Sequence, residues 1–117
     1  MKILVVDDEK NILKLYKAEL EDEGYTVVTA NSGREALDVY EQEEPDIITL
    51  DIMMPEMDGI QVLRQIKQKA PEIPIIMLTA YDYRDDFSVW VSDAYVVKSS
   101  DLTQLKATIR QILEKKS

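Results

Sequence analysis

The chain alternates short, continuous runs of apolar residues with longer segments in which apolar residues recur every three or four positions. Continuous apolar runs are typical of parallel strands covered on both faces, and the longer segments are typical of helices that bury one side. We therefore predict five strands, at Lys2–Val6, Tyr25–Thr29, Asp46–Leu50, Ile73–Leu78 and Ala94–Val97.

The first predicted helix spans Asn11–Asp22 and stops at Gly24, because glycine adopts the left-handed conformation that follows many helices. The apolar residues expected on its buried side are Ile12, Leu15, Tyr16 and Leu20.

Capping-box patterns predict the start of two further helices, at Ser32–Glu35 and at Asp101–Gln104. The helix that begins at Ser32 should end before Pro45, and another should run from about Asp58 to Pro71 because proline cannot continue a helix. The residues expected to face the core are Ile60, Leu63 and Ile66 in the latter and Leu105, Ile109 and Ile112 in the last helix.

Strand and helix alternate along the whole chain, which predicts an α/β fold with right-handed crossovers and a doubly wound parallel sheet. At 117 residues the chain is long enough for one hydrophobic core and too short for a second. We expect a single domain over residues 1–117, with no effector domain.

Polar residues follow directly after four of the predicted strands; they are Asp7, Asp8, Asp51, Thr79 and Lys98. Ligands of doubly wound sheets bind outside the carboxyl ends of the strands, so these side chains should meet in one crevice. The three carboxylates would repel one another unless a cation lies between them.

Composition narrows the chemistry further. The chain contains no histidine and no cysteine, which excludes Ser-His-Asp and Cys-His catalysis and imidazole or thiolate metal sites. Any metal must have oxygen ligands, which favours magnesium, calcium or manganese. A net charge of −9 argues against direct nucleic-acid binding. Neither a signal-peptide pattern nor an apolar run of membrane-spanning length is present, so we expect a cytoplasmic protein with no membrane contact.

Four segments carry a specific resemblance. They are Ile3–Glu9, Asp51–Gly59, Met77–Ala80 and Tyr95–Lys98. In these segments and their order the chain resembles the receiver domains of bacterial two-component response regulators. The resemblance implies a flavodoxin-like, CheY-like sheet with strand order 2-1-3-4-5 and five flanking helices.

The resemblance also implies a set of metal ligands. It makes Asp51 the phosphoacceptor, and it gives Asp8 and Asp51 direct contact with Mg²⁺, for which Mn²⁺ or Ca²⁺ are possible substitutes. Asp7 would bind the ion through water, and the backbone carbonyl of Met53 would be a further ligand. These roles agree with the preference of magnesium for oxygen ligands and retained waters.

The same resemblance makes Thr79 and Lys98 the partners of the phosphoryl group and Tyr95 the aromatic switch residue. It implies that a sensor histidine kinase or a phosphotransfer protein donates the phosphoryl group, and that the switched domain then controls binding to a downstream protein target. Such a domain is a phosphoacceptor and not an enzyme beyond self-phosphotransfer and slow self-dephosphorylation.

Other interpretations remain open at the level of sequence. Asp7 and Asp8 are also placed to cap the first helix, and Tyr95 could be an ordinary core aromatic residue. The chain could be a degenerate receiver that binds a partner without phosphorylation. A magnesium-dependent phosphohydrolase is less favoured, because it would need a second carboxylate just beyond the nucleophile, where Ile52 and Met53 stand.

The chain departs from the family pattern near Lys98. Ser99 follows it where the family usually has a proline after a cis bond, and we predict a trans bond because a cis bond before another residue costs about 2.5 to 4 kcal/mol. The interval from Thr79 to Lys98 is also short, so the fourth helix should be short or irregular.

That interval is rich in aromatic residues, namely Tyr81, Tyr83, Phe87, Trp90 and Tyr95. They either pack inward or form an exposed patch, which would suit a homodimer through residues 81–98. Met53 and Tyr81 occupy positions that flank the site in the resembled fold, and neither offers a carboxylate or amide to orient an attacking water, so we expect slow self-dephosphorylation.

Overall fold

Five parallel strands form one sheet in the computed structural model, which describes residues 1–52, 54, 57, 59–79, 94–98 and 101–116. The strands are β1 Lys2–Val6, β2 Thr26–Ala30, β3 Ile47–Asp51, β4 Ile75–Thr79 and β5 Ala94–Val97. Their order is β2-β1-β3-β4-β5, and every neighbouring pair is parallel. The predicted doubly wound sheet and its strand order are confirmed.

The described residues contain four helices, α1 Lys10–Asp22, α2 Gly33–Glu43, α3 Gly59–Lys69 and α4 Thr103–Lys116. Five helices were predicted, so the described count is one lower. The additional helix was expected between β4 and β5, and its segment, residues 80–93, lies outside the described residues.

Two apolar layers cover the two faces of the sheet, because side chains along a strand point alternately to opposite faces. We call them the α2/α3 layer and the α1/α4 layer after the helices that close them. The α2/α3 layer includes Leu4, Val6, Ile48, Leu50 and Ile66. The α1/α4 layer includes Ile3, Val5, Tyr16, Ile76, Leu78, Val96 and Ile109. The sheet is thus buried on both sides, as its continuous apolar runs predicted.

The buried face of α1 differs from the prediction at two residues, because it includes Leu13, which was not predicted, and does not include Leu15. Leu13, Tyr16 and Leu20 pack against the sheet, whereas Leu15 is 43% exposed. Successive residues turn by about 100° around a helix. Leu15 therefore lies well away from the stripe formed by positions 13, 16 and 20, and the prediction that it is buried was wrong.

Two helix ends follow the predicted local chemistry. After α1, Gly24 has φ +95° and donates its N–H to the carbonyl of Glu21, while Tyr25 donates to Leu20. These two bonds make the Schellman motif. At the start of α2, the Ser32 hydroxyl accepts the Glu35 N–H at 3.1 Å. The Glu35 carboxylate returns to the N–H of Asn31 at 2.8 Å, one residue before the expected partner.

Strand boundaries shift by one or two residues from the sequence prediction. β2 begins at Thr26 because the N–H of Tyr25 is used by the end of α1. β4 begins at Ile75, since Ile73 donates its N–H to the carbonyl of Ala70 in the preceding turn. Asp51 and Thr79 are the last residues of β3 and β4 and do not follow them.

Several sequence predictions concern residues outside the described part of the chain. They concern Met53, Tyr81, Tyr83, Phe87, Trp90 and the Lys98–Ser99 peptide bond. Within the described residues, no helix has the length and apolar character needed to cross a membrane.

Candidate functional site

Three carboxylates meet at the carboxyl edge of the sheet. β1 and β3 are paired in register, so Asp7 follows one strand directly beside the point where Asp51 ends the other. One oxygen atom from each of Asp7, Asp8 and Asp51 lies within 4.8 Å of the other two. Asp7 and Asp51 are only 1% and 3% exposed, whereas Asp8 is exposed. The predicted convergence of these acids is therefore present.

Lys98 brings a positive charge to the same group. Its Nζ lies 2.6 Å from Oδ2 of Asp7 and 3.3 Å from Oδ2 of Asp51, and its side chain is only 16% exposed. The residue follows β5, and its backbone N–H donates to the carbonyl of Thr79 at 2.6 Å. This bond ties the base of the Lys98 side chain to the end of β4.

The environment of Lys98 favours its charged form. Burial is the largest single effect and lowers the Lys98 pKa, but the hydrogen bond that Lys98 donates to Asp7 and the charges of Asp51 and Asp7 together outweigh it. The Lys98 pKa therefore lies above its ordinary value. An ammonium group thus lies beside two buried carboxylates and reduces their mutual repulsion.

Asp7 is fixed by its neighbours from several directions. Its N–H donates to the carbonyl of Ala30 at 3.1 Å, and its Oδ1 accepts the N–H of Glu9 at 2.9 Å. Glu9 is the N-cap residue of α1, and its side chain makes no capping hydrogen bond. Asp7 thus orders the turn before α1 with one oxygen and faces Lys98 with the other. It therefore takes part both in the start of the first helix and in the acidic site.

Asp51 is held by a close backbone contact with Gly59, the first residue of α3. A Cβ atom at Gly59 would overlap the backbone carbonyl of Asp51. The Gly59 N–H donates to the carbonyl of Ile52 at 2.9 Å, and the Ile52 N–H donates to Leu78 at 3.0 Å. Glycine is required here because only a residue without a side chain allows this approach.

The remaining predicted site residues are Thr79, Tyr95 and Met53. Thr79 ends β4 and is completely buried. Tyr95 lies in β5, where its Cα is paired with that of Met77. Met53 is not among the described residues, so its role as a carbonyl ligand stays a prediction.

Sequence reasoning identified Tyr16 only as a core residue and did not single out Thr49. Tyr16 is 2% exposed, and burial raises its pKa, with smaller effects from Lys98, which lowers it, and from Asp7 and Asp51, which raise it. Thr49 is completely buried in β3, and its hydroxyl has no hydrogen-bond partner among the described residues. The sequence feature that could have identified both residues is a hydroxyl group at a position where the apolar pattern predicts burial.

The donor set suits a hard divalent cation. Three carboxylates supply oxygen ligands, and the exposure of Asp8 leaves one side of the group open to water and to a small anion. Magnesium uses one or two carboxylates, keeps several waters, and also binds phosphate oxygens. The described part of the chain therefore fits a magnesium site with a buried side, at Asp7 and Asp51, and a solvent side, at Asp8.

Comparison with known proteins places this fold and site in a family. Residues 3–110 match the family model of the response regulator receiver domain. The chain belongs to this family and is a receiver domain of the two-component response regulators.

Individual relatives agree with that assignment. The chain is 43% identical to the alkaline phosphatase synthesis transcriptional regulatory protein PhoP of Bacillus subtilis, over 97% of the chain and 49% of that protein. It is 46% identical to the response regulator TrrA of Thermotoga maritima in complex with Mg²⁺-BeF, with a TM-score of 0.90, covering 94% of this chain and 96% of that one. TrrA has also been solved in complex with the histidine kinase ThkA, with the same identity and TM-score, and the match covers 96% of this chain and 97% of that one. The chain spans about half the length of the curated relatives it matches.

Proposed function

We propose that Asp51 accepts a phosphoryl group on one carboxylate oxygen, with Mg²⁺ bound by the acidic cluster. Asp8 and Asp51 would bind the ion directly, Asp7 would act through water, and the Met53 carbonyl would complete the set. When bound, the cation supplies charge neutralisation between the carboxylates and the oxygens of the incoming phosphoryl group. The related TrrA structure with Mg²⁺-BeF supports this ion for the present chain.

The observation that carries the proposal is the combination of three converging carboxylates with one buried ammonium. Carboxylates alone would repel a phosphoryl donor, and an ammonium alone would not position a nucleophile. An aspartate nucleophile needs chiefly orientation and balanced charge for phosphoryl transfer. Asp51 receives its orientation from the packing of Gly59 against its backbone, and Lys98 supplies part of the balance.

Phosphorylation would change the partners of Lys98 and Thr79. A phosphoryl group on Asp51 offers new oxygen acceptors, so the ammonium would divide its contacts between Asp7 and the phosphate. The Thr79 hydroxyl would donate to another of these oxygens. Because the Lys98 N–H is bonded to the Thr79 carbonyl, both movements act on the ends of β4 and β5, and Tyr95 in β5 would report them to a partner surface.

The phosphoryl group would come from a histidine kinase that docks on α1. Three exposed lysines, Lys10, Lys14 and Lys17, lie on one face of this helix. Spacings of three and four residues bring side chains together on a helix surface. This local basic face is distinctive in a chain of net charge −9, and α1 begins directly after the acidic cluster. The TrrA complex with ThkA supports a kinase as partner.

The test is incubation with acetyl phosphate and Mg²⁺, followed by intact-mass measurement. The wild-type chain should gain the mass of one phosphoryl group, and Asp51→Asn should not. Asp38→Asn makes the same chemical change at an exposed position of α2 and should label like the wild type. Labelling that survives in Asp51→Asn would overturn the assignment.

The same experiment separates the other candidates. A degenerate receiver would gain no mass, and a phosphohydrolase would release phosphate continuously from the donor without accumulating an adduct. The buried side chain of Ile52 directly after Asp51 supports the phosphoacceptor, because that position offers no carboxylate for acid–base catalysis. We expect a single persistent adduct with slow self-dephosphorylation.

We also propose the extent of the domain, its location and its output. The receiver domain would occupy residues 1–117 and work in the cytoplasm as a signalling domain rather than as an enzyme. Its output would be binding to a downstream protein target or to a second copy through residues 81–98. Val97, 44% exposed in the edge strand β5, supports an interface on that side of the sheet.

A further inference from the structure

The turn between β2 and α2 is fixed by hydrogen bonds at the carboxyl edge of the sheet. The carbonyl of Ala30, the last residue of β2, accepts the N–H of Asp7 at 3.1 Å. Within the turn, the Ser32 hydroxyl accepts the Glu35 N–H at 3.1 Å, and the Glu35 carboxylate accepts the N–H of Asn31 at 2.8 Å. The start of α2 therefore has a defined place next to the strand end that carries Asp7.

The first residue of α2, Gly33, is buried and packs closely against Met57. A Cβ atom at Gly33 would lie 2.8 Å from the carbonyl oxygen of Met57 and 2.9 Å from its Cβ and Cγ. Carbon atoms in favourable contact are about 3.5 to 4.0 Å apart. The oxygen and the Cβ of Met57 can move only if its backbone moves. Only a residue without a side chain therefore allows α2 and Met57 to stand this close.

Glycine is not needed at position 33 for its backbone conformation. Positive φ angles among the described residues occur at Gly24 and Glu44, and not at Gly33. Glycine in a helix is also less favourable than alanine. The close approach to Met57 is thus the property that an alanine at this position would remove.

Met57 belongs to the segment that joins Asp51 to α3. This segment is held at its far end by Gly59, whose N–H donates to the carbonyl of Ile52 at 2.9 Å. In its middle, Met54 is only 8% exposed and lies in the α2/α3 layer. Since β1 lies between β2 and β3 in the sheet, the packing of α2 on Met57 joins the segments that follow the two neighbours of β1.

We propose that Gly33 is a positioning residue for the acidic site: its close packing against Met57 holds the segment after Asp51 in the place that cation binding requires. The inference rests on the proposed function, in which Met53, within this segment, supplies a carbonyl ligand. Gly33 acts through Met57 and is not itself a ligand. Because the same turn accepts the N–H of Asp7, it supports both chain segments that carry proposed ligands.

The first test is the Kd for Mg²⁺ of the folded chain, measured from amide shifts in NMR titrations. Gly33→Ala should displace Met57 and raise the Kd about tenfold, as the loss of a group that supports metal ligands commonly does. Gly24→Ala is the matched control, because nothing lies within 4 Å of its added Cβ. Its Kd should stay at the wild-type value. A wild-type Kd in Gly33→Ala would overturn the proposal.

A second variant distinguishes this contact from a general loss of stability. Met57→Ala removes Cγ, one of the three atoms that an added Cβ would overlap. In the Met57→Ala background, Gly33→Ala should therefore raise the Kd only about threefold or less, because residues in contact are coupled in a double-mutant cycle. The same increase in both backgrounds would show that Met57 does not carry the effect and would overturn the proposal.

Met57→Ala alone decides the question if Gly33→Ala does not fold. Coupling between two sites is reciprocal, so saturating Mg²⁺ should shift the Gly33 amide signal in the wild-type chain and shift it about half as far or less in Met57→Ala. The amide of Glu43, at the other end of α2, should shift in neither chain. Equal shifts of the Gly33 signal in the two chains would overturn the proposal.

The wild-type chain separates this inference from the proposed function. If it binds Mg²⁺ but does not label at Asp51, the proposed function alone fails, and the comparison of Kd values still decides the role of Gly33. If it binds no Mg²⁺, both fail.

Discussion

Lys98 lies closer to Asp7 than to the proposed phosphoacceptor Asp51, with Nζ distances of 2.6 Å and 3.3 Å. The ammonium thus rests mainly on the carboxylate that does not accept the phosphoryl group. The ammonium engages the Asp51 carboxylate less closely, yet it remains near enough to move toward a phosphate oxygen. We infer that this asymmetry is a property of the unphosphorylated state and that it reverses when Asp51 is modified.

Replacing Lys98 should separate cation binding from phosphoryl transfer. In Lys98→Met, Mg²⁺ should bind more tightly, because the competing ammonium is gone and the carboxylates are left unbalanced. Labelling by acetyl phosphate at saturating Mg²⁺ should be about tenfold slower or more, since the charge that faces the phosphoryl group is lost. NMR titration and mass spectrometry measure the two effects.

Lys106→Met is the control for that change. Lys106 is partly buried and pairs with Glu19 at 3.4 Å on the outer side of α1 and α4, so the variant loses one ammonium away from the site. It should leave both quantities near the wild-type values. Weaker Mg²⁺ binding in Lys98→Met would contradict the competition that we infer.

Gly59→Ala should disturb the backbone of Asp51. The added Cβ would overlap the Asp51 carbonyl, so α3 and the end of β3 must move apart. We expect a loss of about 1 to 3 kcal/mol in the free energy of unfolding, as for other overpacked sites, together with slower labelling of Asp51. Urea unfolding and acetyl phosphate labelling measure these outcomes.

Gly24→Ala is the control for Gly59→Ala, because it makes the same substitution at another glycine. Gly24 has φ +95° but nothing within 4 Å of an added Cβ, so the variant should lose about 1 kcal/mol through backbone strain alone. Its labelling should match the wild type in conditions where both are folded. If Gly59→Ala also labelled normally, the packing of Gly59 would serve stability and not the position of the nucleophile.

How far the sequence predicts this molecule depends on the kind of feature. The convergence of Asp7, Asp51 and Lys98 was predictable, because parallel strands all end at one edge and each of these residues stands at a strand end. The exposure of Leu15 was not predictable from the sequence. More positions of α1 are apolar than its buried face can hold, and only the packing in the fold decides which of them are buried. The contact between Gly59 and Asp51 joins two backbones, and no side-chain pattern encodes it.

Kinase docking on α1 predicts an effect specific to the protein donor. Lys14→Glu reverses a charge on the exposed basic face. The phosphodonor is the sensor histidine kinase domain that phosphorylates the wild-type chain fastest among those tested. Phosphotransfer from this domain to the variant should be about threefold slower or more at low salt. The difference should shrink at high salt because surface charges are screened. Acetyl phosphate labelling should not change. Arg34→Glu is the control, because it reverses a charge at an exposed position of α2. Equal slowing in both variants would exclude specific docking on α1.

The start of α4 predicts a response to acid that is independent of the site. The Asp101 carboxylate accepts bonds from the Thr103 hydroxyl at 2.6 Å and the Thr103 N–H at 2.9 Å. The hydroxyl has the larger effect, and together these bonds hold the Asp101 pKa below its ordinary value. A depressed pKa in the folded state gives stability that is present above the unfolded pKa and is lost as the pH falls through the folded one. NMR titration should find the Asp101 pKa lowered in the wild type and raised toward its ordinary value in Thr103→Ala. An equal Asp101 pKa in both chains would show that the Thr103 hydroxyl does not lower it.

Mg²⁺ should stabilise the folded chain, because an ion that binds only the folded state shifts the unfolding equilibrium. At about one hundred times its Kd, the ion should add about 2.7 kcal/mol to the free energy of unfolding. Asp8→Asn removes a proposed direct ligand at the exposed side of the cluster, so most of this gain should disappear at the same Mg²⁺ concentration. Asp22→Asn, at the exposed end of α1, should keep the full gain. A gain retained in Asp8→Asn would mean that Asp8 is not a ligand, since stabilisation by an ion must fall when its affinity falls.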